Sequence, residues 1–339
     1  MPVPTRVLGR NGPLVCAVGF GAMSIGGAYG QKDTEEDKIA LLDHAHAIGE
    51  TFWDTADIYF DSEEIIGKWF KRSGKRKDIF LATKFGLGFD WEMKQQFERS
   101  DPEYVRSACE KSLKTLGVET IDLYYCHRVD GKTPIEKTVE AMVELKNEGK
   151  IRYLGLSEVS SSTLRRACAV HQIAALQVEY NPFVLDIESD RTNLLKTCRE
   201  LGVAVVAYSP VGRGFLTGQI KSLEDLPEND FRRVTPKYSP ENFKKIMDLV
   251  AKFESIAKSH GATSAQVSIA WLMAQGEDII PIPGTRTIKY LEENTAAANL
   301  KLTPEEVKAL REAVDKTETP GDRYPAMMMR PIMGETPPL

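Results

Sequence analysis

Apolar and polar positions follow two alternating rhythms along this chain. Short apolar runs of strand length occur at Val15 to Phe20, Thr51 to Trp53, Ile79 to Thr83 and Ile121 to Cys126, then at Ile151 to Leu156, Ala175 to Val178, Val203 to Ala207 and Asp278 to Ile282. Between them the apolar residues fall at helical spacing, behind recognisable start signals. Thr34-Glu35-Glu36-Asp37 caps a helix reaching about Ile48, with Ile39, Leu42, Ala45 and His46 on its spacing. Further helices are predicted from Ser62, from Pro102 to about Leu116, from about Pro134, behind Ser160-Ser161-Ser162-Thr163, and over Asp190 to Leu201, Pro240 to His260 and Ser264 to Ala274. Eight strands that each lead into a helix predict a parallel sheet closed into a (β/α)8 TIM barrel. The chain then reads as one domain, 1–339, with its core over about 6–323 and a tail over 324–339. Residues 212 to 240 and the Pro- and Met-rich tail after Thr319 interrupt the repeat. Such long segments read as lids or pocket walls, and 330 to 339 equally as a disordered tail.

In a barrel of this kind the residue just past each strand stands where chemistry takes place. Those positions hold Gly21-Ala22-Met23, Asp54 with Tyr59, Lys84, His127, Ser157-Glu158, Gln177, Tyr208-Ser209 and Pro281-Ile282-Pro283-Gly284. The stretch Thr51 to Tyr59 is the densest. If Lys84 stands beside Asp54 and Tyr59, an ammonium fixed by a carboxylate lies against a phenol and favours its conjugate base, which suits proton donation to a carbonyl. An Asp and a Tyr after a strand also suit a helix cap and a packed aromatic, and that stretch alone does not separate the two readings. The glycine-rich loop Gly19 to Gly27 is not a dinucleotide fingerprint. Ser24 takes the third glycine position, and the loop runs on through Tyr29 and Gly30.

Composition narrows the function classes. Hydrophobic residues make up 42% and charged residues 27% of the 339, enough for a large core in a soluble chain. A net charge of −5 without a basic run argues against nucleic-acid and anionic-membrane surfaces. No apolar stretch reaches the roughly 18 residues of a membrane span, and Met1 to Arg6 lacks a leader's apolar core, so a cytoplasmic protein is expected. The five cysteines contain no C-x-x-C pair and read as reduced core residues. His44 and His46 read as helix-surface or packing residues. Only His127 of the five histidines ends a strand, so no metal is expected and a metal-dependent hydrolase lacks its ligand cluster.

Seven motifs in order carry a resemblance: D-T-A-D-I-Y at 54–59, T-K-F-G at 83–86, D-L-Y-Y-C-H-R at 122–128, G-K-I-R-Y-L-G-L-S at 149–157, Q-V-E-Y-N-P at 177–182, A-Y-S-P-V-G-R-G-F-L-T-G at 207–218 and I-P-I-P-G-T-R-T-I-K-Y-L-E-E-N at 280–294. From about Arg6 to Arg323 the chain resembles the aldo-keto reductase superfamily, and within it the fungal NADP-dependent, YakC-like branch of family 13. The resemblance implies a catalytic tetrad of Tyr59 as general acid, Lys84 assisting it, Asp54 pairing with Lys84, and His127 orienting the substrate carbonyl. It also implies NADPH/NADP+ as cofactor, favoured over NADH and lying across the rim beside Gly21, Ala22, Met23 and Asp54. Ser157 and Gln177 would hold the nicotinamide carboxamide and Tyr208 would stack on the ring. The loop Ser209 to Gly218, with Val211, Gly212, Arg213, Gly214 and Thr217, would wrap the pyrophosphate; its glycines also read as a plain flexible loop. Gly284, Thr285, Arg286 and Lys289 would take the 2′-phosphate end, and Glu293 with Asn294 the adenine. One departure stands out: many relatives carry Asn after the strand-end serine, where this chain has Glu158, and a carboxylate cannot donate to the carboxamide oxygen.

The activity implied is reduction of aldehydes, with ketones as an extension. The alternative is a cofactor-binding regulatory subunit like the potassium-channel β subunits, set second because no added N-terminal segment precedes the barrel. Trp91, Phe89, Met23, Ile58 and Phe60, with Phe231-Arg232-Arg233 or the tail as a movable wall, read either as core or as an apolar pocket for a small aromatic or medium-length aldehyde. No oligomer is indicated.

Overall fold

The computed structural model describes residues 3–27, 33–90, 92–228, 230–329 and 332–339. Eight strands run in chain order around one sheet: β1 (Phe20–Gly21), β2 (Phe52–Asp54), β3 (Phe80–Phe85), β4 (Ile121–Cys126), β5 (Ile151–Ser157), β6 (Ala175–Glu179), β7 (Ala204–Tyr208) and β8 (Ile279–Pro281). Each pairs in parallel with its chain neighbour. The seam between β8 and β1 is closed by Gly19 N–H on the Pro281 carbonyl (2.9 Å), Gly21 N–H on Pro283 (3.1 Å) and a bridge from Gly21 to Gly284. The sheet thus forms the expected (β/α)8 barrel.

Strand periodicity sets which side chains face the axis. Phe52, Ala82, Leu123, Tyr125, Ala175, Ala204, Val206 and Ile280 share one cluster inside the barrel, while Trp53, Leu81, Tyr124, Leu154, Leu176 and Val205 pack outward with the helices. Two residues further along the inward set, Asp54, Lys84, His127, Gln177 and Tyr208 reach the carboxyl-terminal rim. The parity that fills the core therefore also delivers the polar groups.

The floor is a hairpin, Thr5–Val7 against Leu14–Cys16. Its Leu8 and Val15 join the inner cluster, and the Arg6 guanidinium donates to the carbonyls of Met273 (2.8 Å), Gly276 (2.7 Å) and Ile279. The expected first strand, Val15 to Phe20, is therefore two pieces: its start belongs to the floor and its end to the wall. An apolar run does not mark a bend between two buried surfaces.

Other boundaries shift for local reasons. Lys84 lies inside β3, one residue before its end. The polar connection after β3 contains a hairpin, Leu87–Asp90 with Gln95–Glu98. The helix expected from Asp190 starts at Leu194, because Asn193 takes a left-handed φ of 50°. The 212–240 excursion is a series of short turns, among them Gly212–Thr217, Phe231–Val234 and Pro236–Tyr238. A further helix beyond those predicted, Pro304–Lys316, is opened by Pro304 behind a capping box of Thr303 and Glu306. Residues 332–339 pack back on the barrel: Gly334 bridges Val159, and Arg166 donates to the Thr336 carbonyl at 2.8 Å. All five cysteines are free, four of them buried. Among the described residues no helix is long and apolar enough to cross a membrane, and no cluster of His, Cys, Asp or Glu is arranged to hold a metal.

Candidate active site

At the centre of the rim a buried ammonium joins three groups. Lys84 Nζ donates to Asp54 Oδ1 at 2.5 Å and to the Thr55 carbonyl at 2.7 Å, and it stands 3.4 Å from the Tyr59 hydroxyl. Lys84 is fully buried and Asp54 nearly so. Burial opposes the Lys84 charge, yet the Asp54 carboxylate and Tyr59 outweigh it and raise the lysine above its ordinary pKa. The ammonium is therefore present throughout the neutral range. Gln177 Nε2 holds the second Asp54 oxygen at 2.7 Å, so the carboxylate is fixed from two sides.

His127 meets Tyr59 edge to face, with ring centroids 5.8 Å apart. Burial first, then the cations of Arg128 and Lys84, push its pKa well below the usual histidine value, so the imidazole is neutral. Its Nδ1 is buried without a hydrogen-bond partner among the described residues. The four residues named from the strand ends thus meet in one place, with a neutral imidazole beside a phenol and a charged lysine behind it.

Asp57, between Asp54 and Tyr59 in the chain, has one carboxyl oxygen buried without a partner among the described residues. Burial and the neighbouring Glu63 raise its pKa to about 7, against the pull of Lys111 and Lys84. The folded protein then keeps a proton that an unfolded aspartate, near 3.9, has released. This contribution to stability is fully present below about pH 3.9 and is lost progressively as pH rises from there through about 7. From about pH 6 to about pH 8 the wild-type unfolding free energy should fall by about 1 kcal/mol more than that of Asp57→Asn, read by urea denaturation at each pH.

The residues expected around a cofactor are placed unevenly. Gly21, Ala22, Ser157 and Gln177 are buried at the rim, while Met23 is 37% exposed. Tyr208 is half-buried, its hydroxyl donating to Glu158 Oε1 (2.9 Å) and lying 3.1 Å from the Tyr324 hydroxyl. Ser209, Arg213, Gly212, Gly214 and Gly218 all take positive φ. The loop's carbonyls are drawn inward: Ser268 bonds to Pro210 O, Tyr238 to Gly212 O, Arg232 to Arg213 O, Thr217 to Gly214 O and Ser264 to Leu216 O. Arg213 itself turns inward, pairing with Glu179 at 3.0 Å under the Tyr324 ring. Val211 is half-buried beside them. Gly284 and Lys289 are exposed and Thr285 and Asn294 buried. Arg286 pairs with Asp33 at 3.0 Å, and Glu293 accepts from Thr263 at 2.7 Å. Of the expected pocket residues, Phe60 and Phe89 are exposed (67% and 39%), Phe231 faces Tyr324, and Trp91 lies outside the described residues, as do Tyr29 and Gly30.

Glu158 is the residue whose role the sequence left open. It is fully buried with a φ of 49°, and both its oxygens accept from Arg323 at 3.0 Å. It also takes the Glu179 N–H at 3.0 Å. Burial opposes its charge, but Arg323 and Arg128 hold its carboxyl below the usual glutamate range. Arg128 and Arg323, both nearly buried, were given no role from sequence. The only cue to Arg128 was its place directly after His127.

Comparison with known proteins agrees with this architecture. The profile of the aldo/keto reductase family matches residues 17–315. The chain is 57% identical over 332 residues to aldo-keto reductase str7 of Strobilurus tenacellus, covering 96% of each. It is 49% identical to aldo-keto reductase yakc [NADP(+)] of Schizosaccharomyces pombe, covering all of this chain and 99% of the relative. Among solved structures, the glycerol dehydrogenase AKR11B4 from Gluconobacter oxydans superposes with a TM-score of 0.84 at 30% identity, covering 95% of this chain and 98% of that one. A full-length match in sequence and in fold leaves one assignment: the chain belongs to the aldo/keto reductase family of oxidoreductases.

Proposed function

We propose that this protein is an NADPH-dependent reductase that converts small aldehydes to alcohols, with Tyr59 as proton donor. The observation that carries this reading is the Lys84 ammonium lodged between Asp54 and the Tyr59 hydroxyl beside a neutral His127. When bound, the nicotinamide supplies hydride to the carbonyl carbon, and negative charge grows on oxygen. Tyr59 then gives its proton to that oxygen, while Lys84 stabilises the phenolate left behind. His127, being neutral, orients the carbonyl by hydrogen bonding without adding charge. Groups preplaced in this way act on the transition state more than on the ground state.

The rim suits the cofactor on its own evidence. Loop carbonyls anchored inward and left-handed residues from Ser209 to Gly218 support an anion-binding backbone for the pyrophosphate. The yakc relative is named for NADP(+), which supports the phosphorylated dinucleotide here. Ser157 and Gln177 would border the carboxamide and Tyr208 the ring; Arg286 and Lys289 would meet the 2′-phosphate, and Glu293 and Asn294 the adenine. Arg213, already paired with Glu179, supports the loop from below. A cytoplasmic setting fits the five free thiols.

Loss of reduced-nicotinamide absorbance with a panel of aromatic and aliphatic aldehydes tests the reading. Tight NADPH binding with no turnover on any of them would favour a regulatory role instead. In the same assay Arg286→Ala should raise the NADPH dissociation constant about ten- to a hundredfold, the loss of one charge-assisted contact, and change that of NADH little. Equal effects on both cofactors would remove Arg286 from the 2′-phosphate site.

A further inference from the structure

At the rim three buried cations are paired with carboxylates, and one has no ion pair among the described residues. Lys84 is balanced by Asp54, Arg213 by Glu179 and Arg323 by Glu158, each within 3.0 Å. Arg128 is only 7% exposed and has no carboxylate partner among the described residues. Its Nη1 donates to the His127 carbonyl (2.6 Å) and to Ser157 Oγ (3.0 Å), both neutral acceptors. The Nε and Nη2 donors make no hydrogen bond with the described residues, and neither counts among the fully buried atoms left without a partner, so this edge of the guanidinium keeps some solvent contact. Tyr59, Tyr208, Tyr324 and Glu158 are near enough to favour its charged form, although burial opposes it. The free edge therefore belongs to the same rim as the proton donor and the tyrosine assigned to the nicotinamide ring.

A buried guanidinium without a counter-charge is costly, whereas an anion placed against it regains a charge-assisted and often two-pronged contact. We propose that Arg128 is a specificity-determining residue that binds an anionic group of the substrate, so that the enzyme prefers carbonyl compounds bearing a carboxylate a short chain or one ring away from the C=O. The assignment rests on the reductase reading above. Arg128 follows His127 directly and holds its carbonyl, so the anion site and the carbonyl-orienting imidazole are fixed to one another. The reaction itself is unchanged: hydride goes to carbon, the Tyr59 proton goes to oxygen, and the product is a hydroxy acid with its carboxylate intact. The carboxamide of the cofactor also lies near Ser157 in this reading, but it is neutral and cannot balance the charge.

The test compares para-carboxybenzaldehyde with para-tolualdehyde, matched in shape but not in charge, in wild type, Arg128→Gln and Arg128→Lys. The ratio of their kcat/KM values should favour the carboxylate by about tenfold or more in wild type. It should fall to near unity in Arg128→Gln, which keeps a donor for Ser157, and be partly restored in Arg128→Lys. A wild-type ratio at or below one would overturn the proposal. So would an unchanged ratio in Arg128→Gln, including the case where both substrates lose equally and NADPH binding weakens, since Arg128 would then serve the cofactor or the fold. Titrating the NADPH complex with benzoate and benzamide, followed by nicotinamide fluorescence, needs no turnover. If these two and every aldehyde of the panel fail to react, the reductase reading fails, and tighter benzoate binding that is lost in Arg128→Gln still supports the anion site. Equal binding of the two ligands sinks it.

Discussion

Tyr59→Phe lowers kcat for aldehyde reduction by about a hundred- to ten-thousandfold, the range general acid catalysis contributes, and leaves the NADPH dissociation constant within about threefold of wild type. In the proposed mechanism the Tyr59 hydroxyl is the group that would face the carbonyl oxygen, with a charged lysine 3.4 Å behind it. Removing that oxygen removes the proton donor and none of the contacts assigned to the dinucleotide. Because its effect is confined to the transition state, kcat and kcat/KM fall together. Single-turnover traces with NADPH already bound check the split. A variant that turns over near the wild-type rate would show that another group delivers the proton. Lys84→Met is a harsher change, since it also strands the buried Asp54 carboxylate, and its activity loss should come with a loss of stability that Tyr59→Phe does not show.

Arg323→Met should destabilise the fold by about 3–5 kcal/mol, the usual consequence of removing one partner from a fully buried ion pair. Glu158 Oε2 would lose its donor, and Oε1 would keep only the Tyr208 hydroxyl and the Glu179 N–H, in a site closed to water. The double variant Glu158→Gln with Arg323→Met should recover at least half of that loss, because no unpaired charge remains. Urea denaturation of wild type, both single variants and the double variant measures the coupling. Strict additivity would mean that the pair does not act as a unit. The consequence for the site is specific. Arg323 reaches Glu158, Glu158 receives the Tyr208 hydroxyl, and Tyr208 meets Tyr324, so the segment after Thr319 is tied to the ring surface assigned to the nicotinamide. Arg323 and Tyr324 are therefore held at that surface by charge and hydrogen bonding.

This pair also explains the departure noted in the sequence. An asparagine after Ser157 could donate to a carboxamide; Glu158 instead serves the tail, and the backbone at the same residue receives Gly334 N–H at 2.7 Å. Nothing near position 158 in the sequence announces a partner at position 323. An ion pair between such distant residues has no periodicity and no local spacing to betray it.

What the sequence by itself determined is the part of the molecule governed by local rules. Alternating strand and helix rhythms specify the barrel. The inward parity of each strand carries Asp54, Lys84, His127, Gln177 and Tyr208 to the same rim once the barrel is granted, and caps such as Thr34 and Ser160 mark where helices begin. Tertiary structure alone decided the rest. It split Val15 to Phe20 between floor and wall, turned Arg213 inward onto Glu179, folded the tail onto Glu158, and left Arg128 without a carboxylate partner among the described residues. The physical reason is common to the last three. Strand and helix patterns arise from contacts between near neighbours in the chain, whereas the pairing of buried charges depends on which distant groups share a space from which water has been excluded.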